Sequence, residues 1–495
     1  MILALIFLPV AAALAVLGLR NATAIRALLM TAATGHAVLT GLAWIHPPAP
    51  VLDNWLLLDA LGLLFLSITS ALFAMVALYA LGYLQRESDE KHEDFEEGFL
   101  FTNSRESNFV CCLLLFLAMM TLVTVSQHFG LIWVAVEATT LASAPLIYFH
   151  RHRRSLEATW KYIMICSVGI ALALLGNFFM AVAATLSENE HVPMLLSTLT
   201  GNASLLHVPW LKAAFLFLLV GYGTKLGLAP MHTWLPDAHS EAPSVISALL
   251  SGALLNCAFL AILRAQQVCV AAGQGLFGQN LLLGFGLFSM IVAAAFMLRQ
   301  MDFKRLLAYS SVEHVGILSL AVGLGANAGY GAMLHAVNHS LTKGMLFLVA
   351  GNILAVYHSK SIREVRGVLR VLPISGALWV MGFLAITGSP PFGTFVSELV
   401  ILKSALDQGR YVIAAVFLLI LCIIFIAMSI VVLSMAQGNP EGSPAGDLSQ
   451  PTSLFLKESP LAVIPPLILS AVILMLGLYI PPFLRQVMEQ AARAI

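Results

Sequence analysis

The chain has 495 residues, of which 60% are hydrophobic and only 10% charged, and its mean hydropathy is +0.92. It is too apolar for an ordinary water-soluble domain and belongs in a bilayer. The 25 basic and 25 acidic residues cancel, so overall charge points to neither nucleic acid nor an acidic substrate as partner.

The first residues, MILALIFLPVAAALAVLGLR, lack a basic n-region and a cleavage site and read as a retained spanning helix, not a signal peptide. Apolar stretches long enough to cross a hydrocarbon core of about 30 Å then follow one another. They fall at 2-19, 22-44, 55-84, 108-127, 129-149, 158-186, 209-230, 243-264, 279-298, 305-325, 330-357, 372-390, 411-435 and 459-482. The predicted fold class is therefore an all-α polytopic membrane protein with about fourteen transmembrane helices. A closed barrel is excluded, because the runs lack period-two alternation. The six cysteines lie in or beside apolar runs without the spacing of a zinc or iron–sulfur site, and read as small packing residues.

Arginine and lysine cluster after the first helix (Arg20, Arg26), the fifth (Arg151, Arg153, Arg154), the ninth (Arg299, Lys304, Arg305) and the eleventh (Lys360, Arg363, Arg366, Arg370). These are all odd-numbered connections, which places them on the cytoplasmic side and both termini on the outer face. Two long polar connections, RESDEKHEDFEEGFLFTNSRES at 86-107 and GNPEGSPAGDLSQPTSLFLKES at 438-459, share that side. The first is either a docking site for a soluble partner or merely a solvated acidic run.

Two apolar segments are interrupted by glycine and proline, GYGTKLGLAPMHTWLPDAH at 221-239 and ITGSPPFGTFVSE at 386-398. A proline removes a backbone hydrogen bond and frees carbonyls that lipid cannot satisfy. Such breaks survive only inside protein or beside a hydrated cavity. Their recurrence in the two halves marks an internally repeated transporter fold. The charges repeat as well: Glu137, Lys161 and Lys225 in the first half, Glu313, Lys343 and Glu398 in the second.

Glu137 is the ninth residue of its helix, about 12 Å along the axis and close to the bilayer centre. A carboxylate there is costly, and function outweighs the alternative of a neutral acid in a static core. Lys225 precedes Pro230 by five residues, so its ammonium meets the carbonyl end of a half-helix. A Glu137–Lys225 pair that closes and opens would load and then eject a proton. His335, His339 and Lys343 are spaced i, i+4, i+8 and form a stripe with steps of about 6 Å, short enough for water to bridge. Histidine both accepts and donates near neutral pH, which suits a relay. Glu398 follows the second break as an entry or exit carboxylate, whereas Lys403 is expected to snorkel to the surface. His232, Asp237, His239 and Glu241 read as a polar gate, not a zinc site, for want of ligand spacing. Glu313 and His314 are adjacent and should point apart, so one of them only packs.

The runs KLGLAPMHTWLPDAHSEAPSVISALLSG, DFKRLLAYSSVEHVG, HAVNHSLTKGMLFLVAG and GSPPFGTFVSE resemble the antiporter-like subunits of respiratory complex I and its relatives, over nearly the whole chain. The variants HTWLPDAHSEAPS and SSVEHVG are most similar to component F of hydrogenase-4 or formate-hydrogenlyase-type complexes. The resemblance implies two inverted five-helix repeats, with helices 1–3 and the acidic loop in 1-107, the first repeat in 108-264, the second in 279-435, and a polar linker with the last helix in 436-495. It also implies proton transfer along a central hydrophilic axis. By matching motifs, Glu137, Lys161 and Lys225 would serve the fifth, sixth and broken seventh helices, His335, His339 and Lys343 the eleventh, and Glu398 the broken twelfth.

Two departures stand out. Where many relatives carry a lysine or histidine in the eighth helix, this one offers only Ser247, Ser251, Asn256 and Cys257. The chain also ends soon after the fourteenth helix, without the long lateral helix of the largest subunit type, which places it inside a row of subunits or beside a partner that has one. No flavin, haem, nickel or iron–sulfur signature appears, so no cofactor is expected in this chain. Electrons would travel in peripheral hydrogenase-like or complex I-like iron–sulfur subunits, beside other membrane subunits in a prokaryotic inner membrane. The competing readings are a multi-subunit sodium/proton antiporter or bicarbonate-uptake module, and a scaffold that has lost transport.

Overall fold

In lipid every backbone N–H and C=O must find a partner within its own segment, and the apolar runs of this chain do so as helices. The computed structural model describes residues 1–87, 92–93, 98, 100–187, 190–438 and 458–495. In chain order the helices are α1 (Ile2–Leu17), α2 (Ala22–Ile45), α3 (Ala60–Arg86), α4 (Glu106–Val125), α5 (Phe129–Ile147), α6 (Arg153–Ala183), α7 (Leu196–Gly201), α8 (Val208–Leu226), α9 (Trp234–Glu241) and α10 (Ser244–Leu249). There follow α11 (Leu255–Ala271), α12 (Gly275–Met297), α13 (Phe303–Leu324), α14 (Ala326–Tyr357), α15 (Val368–Val371), α16 (Pro373–Ile386), α17 (Gly393–Asp407), α18 (Tyr411–Gln437), α19 (Pro460–Leu478) and α20 (Pro482–Arg493).

Among the described residues, twelve spans are long and apolar enough to cross a membrane, with α8 and α9 counted together and α10 and α11 likewise. The segments expected at 2-19 and 372-390 form shorter apolar helices, α1 and α16. The described strands are two short antiparallel ladders, His92–Glu93 with Leu100–Phe101 and Thr185–Ser187 with Glu190–His191. Residues 88–91, 94–97 and 99 of the acidic connection, and nearly all of the polar one at 438-459, lie outside the described residues. The amphipathic α20 was not among the expected helices; it packs on α3 and α14.

The centre is built from α10, α11, α13 and α14, whose residues are almost all buried, while α6, α12 and α18 turn residues such as Met164, Phe288 and Ile430 outward, as lipid-facing surfaces should. Helices approach closely where glycine removes the side chain. A Cβ on Gly221 of α8 would lie 2.5 Å from the Ala173 amide nitrogen of α6, and one on Gly286 of α12 would lie 2.6 Å from that of Leu320 in α13.

Both expected breaks are present. After α8 the chain turns through Gly227 at φ +90° and Pro230 into a 3-10 turn at Met231–Thr233 and then α9; after α16 it turns through Gly388 at φ +63° before α17. Only glycine takes such φ values without strain. The freed backbone groups find side-chain partners: Trp234 Nε1 donates to the Thr224 carbonyl at 2.8 Å, the Ala229 amide donates to Ser289 Oγ at 2.9 Å, and the Thr394 hydroxyl donates to the Ala385 carbonyl. A third irregularity was not legible: a π-helical turn, Leu250–Leu254, joins α10 to α11.

Candidate functional site

Lys225 occupies the last turn of α8, at the carbonyl end of the half-helix, and is wholly buried. Its ammonium does not touch Glu137. Lys225 Nζ donates to Thr140 Oγ1 at 2.6 Å and to the Tyr162 hydroxyl at 2.8 Å, and Thr140 Oγ1 in turn donates to Glu137 Oε2 at 3.2 Å. Glu137 also accepts from Ser167 Oγ at 3.3 Å. The expected direct pair is thus a bridged one. Thr140 lies one turn beyond Glu137 on α5, on the same face, and so reaches both charges. Tyr162 continues the network to Ser143, 2.7 Å away.

In the second half, His335, His339 and Lys343 do line one face of α14, the two imidazoles parallel with ring centres 6.4 Å apart. All three are buried, as are Glu313, His314 and Glu398. Lys343 Nζ donates to the Leu307 carbonyl of α13 at 2.7 Å. The expectation that Glu313 and His314 point apart, one of them only packing, is corrected. Both face this cluster, with Glu313 Oε2 4.0 Å from His314 Nε2. Because α13 is buried on every side, two neighbouring long side chains can converge despite a 100° step. His314 is therefore a site residue that sequence reasoning missed, and its adjacency to Glu313 was the only signal.

The hydrogen bonds assign the histidine tautomers. Ser397 Oγ gives its one proton to the Thr394 carbonyl at 2.8 Å. His335 Nδ1, 2.9 Å from Ser397 Oγ, must then be the donor there, which leaves His335 Nε2 to accept from His314 Nδ1–H at 2.9 Å. His314 Nε2 is left as a bare lone pair, and among the described residues it has no hydrogen-bond partner. Neither nitrogen of His339 nor Glu398 Oε1 has one either. Glu398 lies against the second break, where a Cβ on Gly388 would fall 1.9 Å from Glu398 Oε2. Donor atoms of His314, His335 and Glu398 all lie within 4.8 Å of one another.

Between the halves, where the sequence offers no lysine or histidine, the π-turn and the first turn of α11 aim polar groups at both neighbours. Ser251 Oγ lies 2.8 Å from Ser311 Oγ of α13, and Asn256 Nδ2 donates to Ser340 Oγ of α14 at 2.7 Å. A π-turn widens the helix locally and often marks a functional position.

Other expected site residues stand apart from this row. Lys161 is 45% exposed and pairs with Glu157 at 2.7 Å and Asp237 at 3.0 Å. His232 is buried against the rings of Phe296 and Tyr309. His239 is buried, stacked on Phe347 at 5.0 Å. Glu241 pairs with Lys360 at 2.7 Å, and buried Lys304 donates to the Ser240 and Ala242 carbonyls at 3.0 and 2.6 Å. Lys304, Glu241 and Lys360 line a cavity of about 290 Å³. Lys403 is 73% exposed and pairs with Asp407, in keeping with a surface role.

Residues 126–424 match the family described as NADH:quinone oxidoreductase/Mrp antiporter, transmembrane. The chain belongs to this family. Among its members the chain is similar to a hydrogenase-4 component F homolog of Methylacidiphilum infernorum (isolate V4), at 37% identity over 87% of this chain and 86% of that protein. It is also similar to Na(+)/H(+) antiporter subunit A1 of Staphylococcus aureus (strain MRSA252), at 30% identity over 77% of this chain, but it spans only 46% of that longer protein. In fold it resembles a chain of the membrane-bound sulfane sulfur reductase, an archaeal respiratory membrane complex, with a TM-score of 0.85 at 20% identity over 100% of this chain and 97% of that one. As a complex I/Mrp-family, antiporter-like membrane subunit, the chain keeps Lys225, Lys343, Glu313, Glu398 and its three clustered histidines in the protein interior, while Glu137 is half-buried.

Proposed function

We propose that this chain translocates protons and couples redox chemistry in peripheral partner subunits to that movement; driving one charge against 100 mV requires about 2.3 kcal/mol. The observation that carries this reading is the shared hydroxyl of Thr140 between Lys225 and Glu137. A proton leaving Lys225 Nζ can pass to Thr140 Oγ1 as the Thr140 proton passes to Glu137 Oε2, and rotation of the hydroxyl then resets the bridge, so the step is a switchable contact and not a fixed ion pair. In the second half, the donor chain from His314 to His335 to Ser397 reverses when a proton enters at His314 Nε2 and leaves from His335, which is how an imidazole pair relays charge. Residues 108-264 and 279-435 act as the two half-channels, flanked by 1-107 and 436-495. The cavity at Lys304 and Glu241 serves as an entrance from the side of the basic loops. Similarity to a hydrogenase-4 component F homolog supports partners of the hydrogenase-like or complex I-like, iron–sulfur class, other membrane subunits beside the chain and a prokaryotic inner membrane; the Lys and Arg clusters in the odd-numbered connections support both termini outside.

The test is proton flux in proteoliposomes that hold the whole complex. Lys225→Met and Glu137→Gln should each reduce coupled flux by at least about tenfold while the complex still assembles. Unchanged flux in both would leave the chain a scaffold. The second reading, sodium/proton exchange, is supported by the likeness to the staphylococcal antiporter subunit. It predicts flux that needs sodium and no electron donor.

A further inference from the structure

We propose that His314, His335 and Glu398 form a binding site for a borderline first-row divalent cation of the Zn²⁺ class, and that an ion held there locks the second half. Two imidazoles and a carboxylate are a donor set that suits zinc and disfavours magnesium, calcium and sodium, which seek oxygen ligands. The donor atoms come from three different helices, α13, α14 and α17, and already lie within 4.8 Å of one another.

Proton positions favour the site. His314 Nδ1 and His335 Nε2 face one another at 2.9 Å with one hydrogen between them. Tetrahedral zinc with Zn–N bonds of 2.0–2.1 Å separates two ligand nitrogens by about 3.3 Å, so the nitrogens need to part by only a few tenths of an ångström while both rings tilt to aim their lone pairs at the ion. The displaced hydrogen has a place to go. It moves to His314 Nε2, which is bare and lies 4.0 Å from Glu313 Oε2. His314 then coordinates through Nδ1 and donates from Nε2 towards a carboxylate, while His335 coordinates through Nε2 and keeps its Nδ1–H on Ser397. The other nitrogen of His335 thus has an outer hydrogen-bond partner, the arrangement that orients histidine in metal sites, and that of His314 faces the Glu313 carboxyl at 4.0 Å. Glu398 Oε1, buried and unpartnered among the described residues, supplies the anionic ligand, and any proton on that carboxyl leaves to solvent. His339, its ring stacked on that of His314 with centres 4.9 Å apart, stands outside this set of three, and the fourth position falls to solvent.

Cation binding stands on this geometry alone; the lock rests on the proposed proton relay. The test uses the assembled complex, stripped with chelator and loaded with Zn²⁺. X-ray absorption at the zinc edge should show imidazole and oxygen ligands in the wild type. Glu398→Gln and His314→Gln, checked for assembly by size-exclusion chromatography, should bind at least about tenfold more weakly or with one ion fewer. Absence of imidazole scattering in the wild type overturns the site, and so does equal zinc binding in wild type and both variants. Zinc should also slow proton flux in wild-type proteoliposomes. Flux without zinc binding overturns the cation site and leaves proton conduction standing, whereas zinc binding in a complex that moves no protons supports the site and removes the relay.

Discussion

Thr140 Oγ1 accepts from Lys225 Nζ at 2.6 Å and donates to Glu137 Oε2 at 3.2 Å, so a neutral hydroxyl stands where a direct ion pair would otherwise form. Removing that oxygen at constant volume isolates its role. Thr140→Val should lower coupled proton flux by about tenfold, the kinetic equivalent of one lost buried hydrogen bond of some 1–2 kcal/mol. Thr140→Ser should restore most of it. Equal flux in Thr140→Val and wild type would mean that the proton bypasses this hydroxyl.

The turn at Gly388 holds the Glu398 carboxylate. Alanine there would place a Cβ 1.9 Å from Glu398 Oε2 and strain a φ of +63°, whereas Gly409, at φ +69°, has nothing within 4 Å of its added Cβ. Both substitutions carry the backbone cost of about 1 kcal/mol. Only Gly388→Ala should displace the carboxylate, with a loss of flux of at least about tenfold beyond that of Gly409→Ala. Parallel measurements of thermal unfolding and flux separate the two effects.

At the midpoint, Asn256 donates to Ser340 Oγ, and Ser251 meets Ser311. If these groups order water between the halves, Asn256→Leu combined with Ser251→Ala should slow flux by about tenfold. Zinc binding should be unaffected. A double variant that conducts normally would place the connection elsewhere.

Arg264, fully buried in α11, makes two hydrogen bonds of 2.6 Å to Asp59, the N-cap of α3. Burial acts to raise the Asp59 carboxyl, and the Arg264 guanidinium outweighs it, holding the carboxyl below its ordinary 3.8. A depressed acid contributes stability above its unfolded value, and this is lost as pH falls through the folded one. The contribution of this pair to the unfolding temperature should therefore be constant with pH near neutrality and be lost below about pH 4. Asp59→Asn should cost about 3 kcal/mol at neutral pH, since it leaves a buried guanidinium without its counter-charge, and should flatten the acid limb. A variant as stable as wild type at pH 7 would show the pair to be idle.

Much of this architecture is legible in the residues alone. Each apolar stretch expected to span does form a helix, because lipid leaves the backbone no other partner and length alone then sets a span. The glycine–proline breaks could be placed because positive φ and a missing N–H are properties of single residues, and Lys225, Lys343 and Glu398 could be singled out because a charge within an apolar run is costly wherever the run packs. Packing alone decided which charges meet. That Thr140 separates Lys225 from Glu137, that His314 turns towards His335, that Lys161 pairs with Asp237 outside the buried row, and that a π-turn and the α11 turn after it aim Ser251 and Asn256 at two other helices all depend on rotation and separation between helices. Periodicity along one helix names the face a residue occupies; it carries no information about which neighbour that face will touch.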